Sequence, residues 1–448
     1  MRSLVVGSGG REHALVLALA RDADADVHAA PGNPGMASEA TLHEVDPMDG
    51  PAVAALAARI GADLVVVGPE APLVAGVADP VRDAGIACFG PSREAARLEG
   101  SKAFSKDVMA AAGVPTAGSR TCAGPDEVAA ALDAFGAPYV VKDDALAAGK
   151  GVVVTGDRDL ALAHGASCDR VVVEEFLDGP EVSIFAVCDG TTARALQPAQ
   201  DFKRIFDGGR GPNTGGMGAY SPLPWAPPDL AATVLRTVVQ PTLDEMRRRG
   251  APFVGCLYVG LALTASGPRV IEFNCRFGDP DVQPVLALLI SPLGPLLKAA
   301  ADGDLAAVPD PAFAQGAAVS VVMASAGYPE TSRSGDVIVG TETLHRDPSV
   351  DVVHAGTALA ATGSPEGDRL VTAGGRVLAV RAVGTDVADA RAKAYEGVAM
   401  VSFPGAQWRR DIAAEPLGVV EGATALESSA QPVVGRAEPG TQLEEQQP

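Results

Sequence analysis

"LVVGSGGREHALVLALARD", residues 4 to 22, begins as an apolar run, breaks at glycine and continues with Ala14, Leu15, Ala18 and Leu19 at helical spacing. That order reads as a buried strand, a tight turn and a helix. "ADLVVVGPEAPLVAGV", residues 62 to 77, repeats the scheme. Strand, turn and helix in series predict a parallel sheet, whose ligands gather beyond the carboxyl ends of its strands. Residues 1–100 are therefore expected to form an α/β domain with a binding edge.

The turn "GSGGREHA" invites comparison with a dinucleotide fingerprint, which needs glycine at the first, third and sixth places. The sixth place is Glu12. The second strand, "VHAAPGN", closes on Pro31, Gly32 and Asn33, so the ribose of NAD would lack its usual acidic acceptor. An NAD enzyme is the weaker reading. A helix N-terminus with Arg11 beside it suits a sugar phosphate instead, and "PGNPG" and "GPEAPLVAG" stand at neighbouring strand ends, where Glu70 can pair with ribose hydroxyls or an amine. The plainer reading, glycines that only permit tight packing, stays open on this turn alone.

After "LEGSKAF" the texture changes. "APYVVKDD", "GKGVVVTG" and "DRVVVEEFLDG" are short valine-rich runs bounded by Gly, Asp and Pro, which predict a small antiparallel unit over about 115–181. An α+β stretch follows to 325, with a helix near 229–249 and the strand "RVIEFN". From 326 to 417, "VIVGTETL", "VVHAGTALAATG" and "RLVTAGGRVLAVRAVG" predict strands and "VADARAKAYEGVAMV" a helix. Residues 418–448, rich in Ser, Pro, Gln and Glu, are expected to be a disordered tail.

The 448 residues allow about three domains of roughly 150 residues. A net charge of −21 excludes a broad nucleic-acid or anionic-membrane footprint, which needs a basic face. The six cysteines are scattered without a C-x-x-C pair, and no apolar run spans a bilayer. Small-molecule substrates, a cytoplasmic monomer and a salt-adapted source are the expectations. Five of the seven lysines fall between 102 and 203, a cluster unusual in so acidic a chain.

In "RVIEFNCRFGDP", Glu272 and Asn274 are two apart and share a strand face, a pair of oxygen donors suited to Mg²⁺. "YVVKDDALAAGKGVVV" places Lys142 at a strand end and Lys150 in a glycine turn, where ammoniums can meet phosphates although no P-loop is present. "VVVEEFLDGPEVS" offers backbone groups, Phe176 and Leu177 to a base, and Glu181 to a ribose. "GPNTGGMGAYSP", residues 211–222, is too rich in glycine for a helix and too poor in alternation for a strand, and N–H groups left unpaired by secondary structure usually face water or an anion.

The ordered set "GGREHAL", "PGN", "VGPEAPLVAG", "EGSKAF", "AAGKGV", "EEFLDG", "GPNTGGMGAYSP", "EFNCRFGDP" and "HAGT" resembles the phosphoribosylamine–glycine ligase family over positions 1 to about 417. The resemblance implies an α/β and α+β multidomain protein: a Rossmann-like N-terminal domain (1–100), an ATP-grasp region (101–325, with its lid about 115–181) and a small α+β C-terminal domain (326–417). It further implies ligation of glycine to 5-phosphoribosylamine with ATP and Mg²⁺, or Mn²⁺ in its place, through a glycyl phosphate in purine synthesis. Lys102 and Lys142 would then meet ATP phosphates, Glu174, Glu175, Phe176 and Leu177 the adenine, and Glu181 its ribose. Glu272 and Asn274 would hold the metal, with Arg276, Lys203 and Asn213 at the reacting centre. Thr214, Gly215, Gly216 and Gly218 would complete an anion nest, and Gly9, Gly10, Arg11, Asn33 and Glu70 would hold phosphoribosylamine. Another ATP-grasp ligase and a non-catalytic sugar-phosphate binder are the alternatives.

Three departures from the family pattern bear on ATP. "KDDALA" stands where the family reads K-A-D-G-L-A, so Asp143 adds charge and Ala145 replaces a glycine. Ala145 would be strained if that position needs a positive φ. Phe202 in "QDFKR" replaces a histidine.

Overall fold

The structure, a computed structural model, describes residues 1–145, 151–344, 347–361 and 367–414. Lys150 and the tail 418–448 lie outside the described residues.

The first sheet is wholly parallel, in the order Thr41–Leu42, Asp26–Pro31, Arg2–Gly7, Leu64–Val67, Cys88–Phe89. Leu4, Val5, Val6 and Leu64 are sealed from solvent, as strands covered on both faces must be. The turn after the first strand enters the helix Gly10–Leu19. Gly7 sits at φ +125, and a Cβ there would strike Glu12 and Pro69 at under 3 Å, so this glycine is required by the turn and by a close approach together.

The stretch expected to form a lid is an antiparallel sheet ordered Ser119–Cys122, Val171–Glu174, Tyr139–Asp143, Val152–Thr155. The helices Pro125–Phe135 and Arg158–Ala166 flank it. Its core of Cys122, Val128, Leu132, Val141 and Val171 is separate from the two large ones. A second antiparallel sheet runs Ala193–Ala195, Glu181–Asp189, Val254–Thr264, Gly267–Asn274.

A third sheet joins Gln200–Asp201, Gly218–Ser221, Ala317–Ala324, Arg376–Gly384 and Val350–His354. Its middle strand, Ala317–Ala324, bonds both the glycine-rich segment and the C-terminal strands, so backbone pairing crosses the boundary drawn at 326. The glycine-rich segment is therefore built partly on C-terminal structure.

Two local expectations are corrected. "VIVGTETL" is not a strand: Val337 and Val339 make isolated bridges, and Thr341–Leu344 is a short helix. Gly340, at φ +95 against the Met400 carbonyl, turns the chain between them. The helix near 229–249 forms as Leu230–Val234 and Gln240–Arg248 around a π turn, Leu235–Val239. Pro241 supplies no N–H there, and the Gln240 N–H reaches back five residues to Leu235 instead. Among the described residues no helix is long and apolar enough to cross a membrane.

Candidate active site

Glu272 lies on Gly267–Asn274, a half-buried edge strand. Burial alone would raise its carboxyl, but Lys203, Lys142, Lys102 and Arg276 together hold it below the usual carboxylate range. Four cations from separate stretches of sequence thus converge on one carboxylate. Near it, burial and the neighbouring Asp281 push the Asp201 carboxyl up to about 8, against the pull of Lys203. Ser183 Oγ donates to Asp281 at 2.6 Å and meets the Tyr258 hydroxyl at 2.8 Å. Neither Asp201 nor Asp281 was legible as a site residue, although Asp201 stands two before Lys203 in the same motif.

This concentration of carboxylate oxygen fits a hard divalent cation, which favours oxygen ligands. Among the described residues no three carboxylate, imidazole or thiol groups are grouped closely enough to hold a metal by themselves. Glu272 and Asn274 would supply part of a shell completed by phosphate oxygens and water.

Lys142 is buried, with Nζ 2.9 Å from Glu174 and donating to the Ile271 carbonyl at 2.9 Å. The other Glu174 oxygen meets Lys106 at 3.0 Å. Glu174 is buried between two ammoniums, so its carboxylate positions Lys142 and leaves the adenine to other groups. Lys106 also donates to Thr116 Oγ1 at 2.8 Å and the Ala117 carbonyl at 3.0 Å, and burial lowers its pKa to about 8 despite Glu174. The sequence reading gave Lys106 no role; its place four residues after Lys102 on the helix Lys102–Ala111 was the available signal.

Glu175 is likewise engaged, in a forked pair with Arg269 at 3.2 and 2.9 Å that ties the end of the strand Val171–Glu174 to the Glu272 strand. Phe176 is 42% exposed and free to flank a base. Glu181 meets Lys203 Nζ at 2.5 Å, so the expected ribose acceptor and the expected catalytic lysine are paired.

At the N-terminal turn, Glu12 folds back to accept the Gly9 N–H at 2.6 Å. The residue that spoils the dinucleotide fingerprint therefore caps its own helix, and its carboxylate opposes an anion at Gly9. Arg11 donates to the Phe277 carbonyl at 2.5 Å and the Gly68 carbonyl at 2.9 Å, and lies 3.4 Å from Glu70. Glu70 also meets Arg276 at 3.3 Å, and Arg276 meets Glu99 at 3.2 Å. Burial opposes ionisation of Glu70, yet Arg11 and Arg276 draw its pKa down to about 2. A chain of alternating charge thus joins the N-terminal turn to the Glu272 strand. Gly10 abuts Asp279 and Gln283, where a Cβ would approach to 2.9 and 3.0 Å.

Asn33 is structural in part: its Nδ2 bonds the carbonyls of Ser8 at 2.8 Å and His354 at 3.1 Å, and its Oδ1 accepts from Gly35 at 3.0 Å. The His354 N–H in turn donates to His13 Nδ1 at 2.8 Å. Burial, with His354 and Arg381 nearby, lowers the His13 pKa to about 3. The unfolded chain therefore takes up this proton near pH 6.5 while the folded one refuses it, so stability is full above that pH and falls toward pH 3. The loss should reach roughly 3–5 kcal/mol. His13→Asn, which keeps an acceptor but cannot titrate, should flatten the fall in urea unfolding midpoints between pH 6.5 and 4; an unchanged pH slope would refute it.

The segment expected to be an open anion nest is mostly satisfied within the protein. Thr214 N–H donates to the Lys203 carbonyl at 2.8 Å, Gly215 N–H to the Tyr328 hydroxyl at 3.0 Å, and Gly216 N–H to Thr214 Oγ1 at 2.9 Å. Gly218 is fixed in the third sheet, opposite Val321. The nest is corrected to a rigid loop whose backbone donors at 214–216 are taken within the protein, directly after the half-buried Asn213 that ends the strand Arg210–Asn213. Of the three departures, Ala145 is unstrained, since only Asp24 and Ala413 among the described non-glycine residues have positive φ, and its carbonyl accepts from Lys102 at 3.3 Å. Asp143 ends its strand with its N–H on the Gly151 carbonyl at 2.7 Å. Phe202 is buried beneath the Arg409 guanidinium, 5.0 Å away.

Family models described as the N, ATP-grasp (A) and C domains of phosphoribosylglycinamide synthetase match residues 1–99, 100–282 and 318–415. The phosphoribosylamine–glycine ligase of Streptomyces coelicolor is 62% identical over 421 residues, covering 93% of this chain and 100% of that protein. The Mycobacterium tuberculosis protein of the same name is 54% identical, covering 92% and 97%. The crystal structure of phosphoribosylamine–glycine ligase from Thermotoga maritima matches with a TM-score of 0.78 at 32% identity, over 92% of this chain and 100% of that one. The biotin carboxylase domain of a Hydrogenobacter thermophilus 2-oxoglutarate carboxylase, at 17% identity and a TM-score of 0.67 over 91% of each chain, shares the fold. None of these matches supports salt adaptation.

Proposed function

The chain belongs to the phosphoribosylamine–glycine ligase family and is an ATP-dependent ligase of purine biosynthesis, and from that premise we propose how its residues divide the reaction. The observation that carries the assignment is the cation placement on the Glu272 strand: Lys142 donates to the Ile271 carbonyl beside Glu272 at 2.9 Å and Arg276 follows between Glu70 and Glu99, with Lys102 and Lys203 also drawing the Glu272 carboxyl down. Such a group of cations around an oxygen donor suits the phosphates of ATP and would suit an accompanying divalent ion.

A glycine carboxylate oxygen attacks the γ-phosphorus and ADP leaves, giving glycyl phosphate. The amine of 5-phosphoribosylamine then attacks the acyl carbon, phosphate leaves, and the nitrogen loses a proton. A carboxylate is a poor electrophile until its oxygen becomes a leaving group, so the site must spread phosphoryl charge and exclude water. Lys102 and Lys142 take the ATP phosphates, Lys142 being aimed by Glu174 and the Ile271 carbonyl. The backbone near Glu175, with Phe176 and Leu177, receives the adenine, and Glu181 its ribose.

Glu272 and Asn274 would hold Mg²⁺, which when bound would neutralise charge developing on the phosphates. Arg276 and Lys203 face the transferring phosphoryl group. The buried Arg276 Nε is held 3.3 Å from Glu70 by charge without an aligned hydrogen bond, and the outer nitrogens of the fork, with two N–H groups each, are the donors that can meet a ligand. Asn213 meets the glycine carboxylate. Arg11, Glu70 and Asn33 hold phosphoribosylamine, with Glu70 accepting from its hydroxyls or amine, while Gly9, whose N–H Glu12 already takes, drops out of that set. Glu70 stays ionised at neutral pH and is suited to that acceptor role.

The test is phosphate release from MgATP with glycine and freshly generated 5-phosphoribosylamine, against controls omitting each. Release should require both substrates and yield glycinamide ribonucleotide. Equal release with another amine would move the specificity elsewhere.

A further inference from the structure

The C-terminal domain reaches into the glycine-rich loop through two side chains that no motif singles out. Tyr328 accepts the Gly215 N–H at 3.0 Å. Arg376 donates to the Gly215 carbonyl at 2.6 Å and, with the other arm of its fork, lies 3.0 Å from Asp279 Oδ2. Both backbone polar groups of Gly215 are thus taken by residues more than a hundred positions downstream.

The fit leaves little freedom. The Tyr328 ring lies on Gly375, where a Cβ would approach it to 2.4 Å, so tyrosine and arginine are braced by one turn. A Cβ on Gly215 would come within 2.8 Å of the Arg376 guanidinium carbon, and one on Gly216 within 2.4 Å of Pro280. Asp279 is held by Gln283 Nε2 at 2.8 Å and stands against Gly10 of the N-terminal turn. Arg376 therefore bonds at once to the loop and to the residue that adjoins the sugar-phosphate turn, and it contributes to the lowered pKa of Glu70. Its burial is offset chiefly by Asp279, which keeps it charged.

We propose that Tyr328 and Arg376 are positioning residues for the ligation: by fixing both faces of Gly215 they set the place of the Asn213 amide, and so the affinity for the carboxylate substrate. The proposal rests on the reading of Asn213 as the group that meets glycine. Tyrosine contributes a neutral acceptor for the Gly215 N–H, two residues beyond Asn213. Arginine adds a planar fork that spans two acceptors, which a lysine head cannot reproduce.

The experiment compares Tyr328→Phe, Arg376→Lys and Asn213→Ala with the unaltered full chain, measuring kcat, KM for each of the three substrates, and the thermal midpoint. Loss of the one neutral hydrogen bond in Tyr328→Phe should raise KM for glycine roughly 5-fold, with KM for ATP and the thermal midpoint unchanged. Arg376→Lys should raise KM for both glycine and phosphoribosylamine, since its fork serves the loop and Asp279 together.

If Asn213→Ala raises KM for glycine while Tyr328→Phe does not, the positioning role is wrong and the glycine site stands. Should Asn213→Ala leave KM for glycine untouched, the site reading itself fails and the proposal falls with it. A Tyr328→Phe protein that only melts earlier, with every KM unchanged, makes the contact structural and overturns the proposal.

Discussion

Glu272→Ala should lower turnover by roughly 10²–10³-fold or more while leaving the fold intact. The activity loss follows from its place: the carboxylate lies among Lys102, Lys142, Lys203 and Arg276 and is the one acidic member of the "EFN" pair. Without it, a divalent ion bound there would lose an anionic ligand and the phosphates would face an unbalanced group of cations. The fold survives because most of those cations have other partners. Lys142 keeps Glu174, Lys203 keeps Glu181, and Arg276 keeps Glu70 and Glu99. Circular dichroism and thermal melts should be unchanged, and steady-state turnover at saturating MgATP should collapse. Turnover within threefold of the unaltered protein would remove Glu272 from the metal site. Glu272→Asp, with the charge kept and the reach shortened, should fall between the two.

The sequence made the parallel sheet readable because its signals are local: a glycine turn, a helical period and a valine run all lie within twenty residues. It likewise made Glu272 and Asn274 readable, since strand alternation puts them on one face. What it could not reveal is the pairing of charges across domains. Glu174 reads as a surface charge or an adenine contact until Lys106 and Lys142, on different elements, are seen to seal it. Glu99 ends a helix far from Cys275 in sequence, yet its carboxylate takes the Cys275 N–H at 2.8 Å. The glycine-rich loop misled for the same reason. Much of it is strand, Arg210–Asn213 and Gly218–Ser221, and the Gly215 N–H meets neither water nor an anion but a tyrosine from the C-terminal domain, which no local pattern announces. "VIVGTETL" failed by another route: its alternation suits a strand, and Gly340 cuts it short.

Arg276→Lys should cost about 100-fold in turnover while retaining a folded protein, and the reason lies in the shape of the group. The guanidinium spans Glu70 through Nε at 3.3 Å and Glu99 through an outer nitrogen at 3.2 Å, with its remaining arm 3.4 Å from the Phe277 carbonyl. Burial disfavours its charge, but Glu99 and Glu70 more than compensate, so it is cationic at every working pH. A lysine head keeps the charge and can satisfy one carboxylate, but it cannot hold both and also turn a donor to the transferring phosphoryl group. Arg276→Ala is the wrong test, because it leaves Glu99 buried opposite no cation, a change expected to cost about 3–5 kcal/mol. Single-turnover formation of ADP from MgATP and glycine should therefore slow in Arg276→Lys with only a small drop in the melting midpoint. If ADP forms at the unaltered rate, Arg276 serves only to join the N-terminal turn to the Glu272 strand, and Lys203 must stabilise the phosphoryl group alone.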